Sequence, residues 1–140
     1  MRKIQVGVCI VIVFSFFLVI VGIYSAWTEE ILLETQFIPT SVSGMATSTA
    51  LAVGFAVTSL TLGFSNKFFS GEGDILVMFM LLVVALFSVA SLGNSYYHLG
   101  LGELHTSFRY AMTGFLSAFL VLADGLLFLL FSALRIYGFE

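Results

Sequence analysis

Asp124 is the residue whose type and setting most invite chemistry: an ionisable group deep inside the long apolar run from Tyr110 to Leu134. An aspartate at mid-membrane costs about 2.5–3.5 kcal/mol on insertion scales, so it tends to face other protein and to find a partner there. Arg109 and Arg135 stand 15 and 11 positions away. At a rise of 1.5 Å per residue these are roughly 22 and 16 Å distant along a helix axis, out of reach within one helix. Neutralisation must come from another helix, another subunit or a bound proton. Matching depths from one end of the spans brings Ser15 near the level of Asp124, with Ser88 and Thr58 within a turn or two. The expectation is a buried Asp124 hydrogen-bonded to one of these hydroxyls. Three uses stay open: a structural anchor, a proton or cation site, and a contact between subunits.

A second group of chemically able residues lies between the third and fourth apolar runs, where His98, Glu103 and His105 stand near Arg109, Tyr96 and Tyr97. Two imidazoles and a carboxylate are a ligand set that zinc or copper accepts. The spacing His98-x₄-Glu103-x-His105 matches no metal motif, however. Gly100 and Gly102 serve a plain flexible turn equally well. The preferred reading is a solvated loop with interfacial histidines, Thr106 or Ser107 capping the helix that follows. Metal binding on the outer face is the alternative. Nothing resembles a nucleophile with its base, a phosphate loop or a dinucleotide fingerprint. Gly71-Glu72-Gly73 is a turn, since no further glycine or lysine follows at the needed spacing. Too few polar groups converge for an enzyme acting alone, and no cofactor is implied.

The elements that must hold these residues follow from composition. Of 140 residues, 60% are hydrophobic and only 9% charged, with a mean hydropathy of +1.13; soluble chains carry about 25% charged residues. So small a chain cannot hide most of its side chains from water, so its solvent must be lipid. The net charge of −3 offers no basic surface for nucleic acid. The single cysteine, Cys9, precludes an internal disulfide and reads as a small buried hydrophobe.

Four segments reach the ~20 apolar residues that a helix needs to cross a bilayer: 4–26, 45–64, 75–93 and 110–134. Each is continuously apolar, where a barrel strand would alternate. The first exceeds a signal-peptide core and is expected to be a retained span. The only proline, Pro39, falls in a connection, and residues 30–38 suggest a short amphipathic turn along the outer interface. The loops are short, so the chain is one transmembrane domain: an all-α, antiparallel up-down four-helix bundle. With the N-terminus inside, Arg2, Lys3, Lys67 and Arg135 are cytoplasmic and only Arg109 is outside, which puts both termini in the cytoplasm. Tyr24, Trp27, Tyr96, Tyr97, Tyr110 and Tyr137 then mark the two interfaces.

Helices associate in lipid through small residues and a few polar contacts. The second span carries Ala46, Ala50, Gly54 and Thr58 at intervals of four, the third Ala85, Ser88, Ser91 and Ser95, and the fourth Gly114, Ser117 or Ala118, Val121 and Gly125. Sixteen phenylalanines crowd the remaining surfaces, where they suit lipid or grooves on a neighbouring subunit. The topology resembles that of claudins, but the first outer loop has Trp27 and none of the paired cysteines that mark them. Four-span proteolipids of rotary ATPases also carry a carboxylate in the fourth span, yet the first span here is bulky where their helices are rich in small residues. The expected role is a non-enzymatic accessory or scaffolding subunit that packs against a larger complex in the cell membrane, with lipids and other integral membrane subunits as partners. A small proton or ion channel or carrier using Asp124 is the competing class.

Overall fold

A computed structural model describes residues 2–136, with side chains from residue 6 onward. It is all-helical: α1 is Arg2–Thr28, α2 Ile38–Ser65, α3 Glu72–Gly100 and α4 Leu104–Ile136, with one 3₁₀ turn, Thr35–Phe37, before α2. All four helices are long and apolar enough to cross a membrane. At 27 to 33 residues they measure about 40–50 Å, more than the ~30 Å hydrocarbon layer.

That extra length is where the structure departs from the expected boundaries. An apolar-run criterion stops at the first polar cluster, whereas a helix satisfies its own backbone and continues through it. Thus α3 runs on past Gly93 to Gly100, and α4 starts at Leu104 instead of Tyr110, so the anticipated loop 94–109 shrinks to Leu101–Glu103. Gly102, at φ +78°, makes that turn. Likewise α2 begins seven residues before Met45, and Pro39 occupies its first turn, where a missing N–H costs nothing. Of the anticipated amphipathic turn, Thr35–Phe37 is a 3₁₀ turn, Ile38 already opens α2, and residues 30–34 are irregular, with Leu32 90% exposed. Tyr137 lies outside the described residues.

The helices are not equivalent partners. α4 packs against α1, α2 and α3, and α2 also meets α3, whereas the extensive contact of α1 is with α4 alone. Small residues around much of the α4 circumference allow this: Ala111, Gly114, Ser117, Ala118 and Gly125 are all buried. A Cβ on Gly114 would sit 3.0 Å from the Ser88 carbonyl oxygen, so α3 and α4 cross almost backbone to backbone. Ala85, Ser88, Ser91 and Ser95 form the facing stripe of α3. Ser95 Oγ donates to the Ser107 carbonyl (2.8 Å) and Ser107 Oγ to the Ser95 carbonyl (2.7 Å), a reciprocal tie near the turn. Ser107 is therefore spent on α3, inside α4, and does not cap it.

The face of α2 differs from the expected stripe. Ala46 is buried, but Ala50, Gly54 and Thr58 are exposed; the buried positions are Ile38, Val42, Ala46, Thr49, Ala52, Ala56, Leu60 and Gly63. Each step of four residues overshoots a full turn by about 40°, so a strict four-residue stripe rotates off a fixed neighbour within three steps. Alternating steps of three and four stay on the seam.

Two apolar clusters close the α2–α3–α4 core. One gathers Ala56, Leu60, Phe69, Met78, Leu81, Ala85, Val121 and Phe128; the other Ile38, Val42 and Ala111. In the first, the α2–α3 turn folds back, helped by Lys67 at φ 60°, so that Phe69 stacks on Phe128 at 4.7 Å and lies against Gly63. Arg135 pairs with Asp74 and donates to the Phe68 carbonyl, binding the end of α4 to that turn.

Candidate functional site

The site is built where α1 meets α4. Asp124 is 2% exposed, and Ser15 Oγ lies 2.9 and 3.0 Å from its two carboxylate oxygens. Ser15 Oγ is also 2.7 Å from the Ile12 carbonyl of its own helix. A serine hydroxyl has one proton to donate, so Asp124 and Ile12 compete for it. Among the described residues no cationic side chain pairs with Asp124. The group is thus a buried carboxyl with a single hydroxyl neighbour, contributed by another helix.

The other two hydroxyls expected at this depth are elsewhere. Ser88 is fully buried and donates to the Val84 carbonyl (3.0 Å). Thr58 is exposed and donates to the Gly54 carbonyl (2.8 Å). Both bond back along their own helices, the usual refuge of a hydroxyl in an apolar medium. Of the positions expected to carry helix packing, Gly114 and Ala118 of α4 and Ala46 of α2 are buried, while Ala50 and Gly54 are exposed.

Toward the other end of α1 lies a second set of contacts that no pattern of residue types or spacing announces. Arg109 of α4 donates to the carbonyls of Ala26 (3.1 Å) and Trp27. The last carbonyls of a helix have no partner within it and carry the negative end of its dipole; α1 has no basic residue of its own in its last turn. Arg109 supplies the missing charge and donors from outside. Trp27 Nε1 donates to Thr113 Oγ1 (2.8 Å), and Thr113 Oγ1 donates to the Arg109 carbonyl (2.9 Å). Tyr110 meets Trp27 edge-on at 4.9 Å, and His98 stacks on Tyr110 at 5.2 Å.

His98 and Glu103 come together, Nδ1 to Oε2 2.7 Å, across the α3–α4 turn. His105 does not join them. Among the described residues no group of three or more His, Cys, Asp or Glu side chains is placed to hold a metal ion. The helical turn of Leu104–Ser107 points His105 outward, where it is exposed, so the three-ligand arrangement is not formed. Cys9 is exposed on α1 and not buried as expected, because no helix covers that face.

The arrangement offers one chemically distinctive element, a buried acid midway along an apolar, membrane-length helix, bonded to a serine on the least covered helix. Compared with protein-family models, curated proteins and solved structures, the chain matches none of them.

Proposed function

We propose that this chain is a non-enzymatic accessory subunit that packs within a larger integral membrane assembly, with lipids and other membrane subunits as its partners. The observation that carries this reading is the unequal covering of the helices. The α2–α3–α4 unit closes on itself, while α1 rests on α4 and leaves Val6, Ile10, Val13, Phe14 and Phe17 exposed. Large apolar side chains of this kind suit grooves between the helices of a neighbour as well as they suit lipid. The helices alternate in direction with both termini cytoplasmic in the cell membrane. Supporting this are the pairings of Ser15 with Asp124, Trp27 with Thr113 and Asp74 with Arg135. Supporting the orientation is the excess of Arg2, Lys3, Lys67 and Arg135 over the lone Arg109. Crosslinking in native membranes from photoreactive groups at Ile10 and Phe17 tests the reading. Covalent adducts with another membrane subunit are expected; adducts with lipid alone would overturn it.

A second reading, a proton or cation site in a small channel or carrier, is favoured by the buried Asp124, bonded to Ser15 with no cationic partner among the described residues. Intramembrane ionisable residues commonly mark ion pathways. Reconstituted in liposomes, the protein should then pass an ion flux that Asp124→Asn abolishes and Thr58→Ala retains. Equal flux from both variants would dismiss this reading.

A further inference from the structure

We infer that α1 is the movable wall of the Asp124 site: swinging off α4, it uncovers the carboxyl group, and Ser15, Trp27 and Arg109 govern how often it does so. This holds whether or not an ion crosses the protein, and it does not depend on a partner subunit. On the core side Asp124 is sealed. Val121, Gly125 and Phe128 are buried beside it, and the helices behind them are interlocked by the Gly114–Ser88 crossing, the Ser95–Ser107 tie and the Phe69 stack. Moving α2 or α3 would disrupt much more extensive packing on α4 than moving α1.

α1 is held differently. None of its described residues is buried, although Asp124 beneath it is. It lays a half-buried stripe of Ile12, Phe16, Val19 and Gly22 on α4 and is fastened there by a few polar contacts: Ser15 to Asp124, Trp27 to Thr113, and Arg109 to the Ala26 and Trp27 carbonyls. A crevice of about 310 Å³ lies between the end of α1, the link over residues 29–33, and Phe108 and Met112 of α4. The non-helical link from Glu29 to Glu34 gives α1 slack at that end. Elements with few buried contacts open at lower free energy than the core they rest on. The carboxyl group is therefore closed in by the helix easiest to move.

Labelling with dicyclohexylcarbodiimide, which partitions into hydrocarbon and there adds a carboxyl group across its C=N bond to leave a stable N-acylurea, reads this opening. The full-length protein is treated in liposomes, and the adduct is located by mass spectrometry on the peptide containing Asp124. A Gly22→Cys/Leu116→Cys pair in a Cys9→Ser background joins α1 to α4 at a point where a Cβ on Gly22 would lie 3.2 Å from Leu116. Oxidation should cut labelling severalfold, and reduction should restore it. Ser15→Ala and Trp27→Phe, which need no crosslink, should each raise the rate on the order of fivefold, the population change from deleting one net hydrogen bond. Ser15→Thr, which keeps the hydroxyl, should stay near the parent rate, as should Thr58→Ala. Equal labelling with and without the crosslink, no acceleration in Ser15→Ala and Trp27→Phe, or no Asp124 adduct in the parent protein would each overturn the proposal.

Discussion

At the residue scale, the decisive quantity is how many partners each buried polar atom has. Asp124 has one described hydroxyl neighbour, and removing it leaves a buried carboxyl without a hydrogen bond. Orphaning a buried polar group costs about 1–3 kcal/mol. Ser15→Ala should therefore lower stability in detergent by that amount, whereas Ser88→Ala, which frees only a carbonyl already bonded within its helix, should cost less. Thermal unfolding followed by circular dichroism makes the comparison; equal losses would show that the Ser15 contact contributes nothing particular. Gly63 is the steric counterpart. A Cβ there would run into the Phe69 ring and lie 2.9 Å from Leu129 Cδ1. Phe69 is 3% exposed and stacked on Phe128, so it cannot swing aside. Gly63→Ala should destabilise by about 1–3 kcal/mol, the range for overpacking a filled core. Gly54→Ala, with nothing within 4 Å of its added Cβ, should be neutral or slightly stabilising.

At the element scale, the four apolar runs were readable because lipid allows no other spanning structure for them than a helix. The small-residue stripes of the third and fourth runs could be read for the same reason: only glycine, alanine and serine admit a second backbone so close. What could not be read depends on neighbours. The stripe of four on α2 looked persuasive in one dimension but turns away from α3 and α4 after Ala46, and nothing local says so. Depth matching gave three hydroxyls for Asp124; choosing Ser15 among them needs the rotation of each helix about its axis, which depth does not contain. The closing of α1 by Arg109 was invisible because the donor is more than eighty residues away in sequence. That cap makes a testable difference. Arg109→Gln removes a charge held against the negative end of α1, an interaction of about 0.3–1 kcal/mol and up to ~2 when partly buried. Hydrogen exchange should speed up in the last turns of α1 while the α3 and α4 amides around Ser95 and Gly114 keep their protection. Uniform acceleration along the chain would mean that Arg109 supports the whole fold and not this helix end.

At the scale of the whole molecule, α4 is the axis and its two ends are fastened by opposite means. Near its start, Arg109 donates to backbone carbonyls of α1; near its finish, Arg135 pairs with Asp74 at the head of α3. Asp74 also accepts from the Gly71 N–H at 3.4 Å, so its carboxylate both closes the first turn of α3 and anchors α4. Both side chains are largely covered, at 24% and 11% exposure. Partial burial makes the sign of the mutations informative. Removing one member strands the other charge in a poorly solvated place, while removing both also removes the desolvation cost. Asp74→Asn and Arg135→Gln should each destabilise the protein, and the double variant should be more stable than the sum of the single losses implies, with a coupling of about 0.5–3 kcal/mol. If the losses simply add, the pair is solvent-screened and the α2–α3 turn is held by Phe69 alone. A coupling within that range would assign the turn two independent fastenings, one ionic and one aromatic. The triple variant with Phe69→Leu should then lose protection throughout residues 66–74 while the Ser95–Ser107 end remains closed. Such separability is what a molecule organised around one central helix predicts, since α3 is tied to α4 at both ends by contacts that share no atoms.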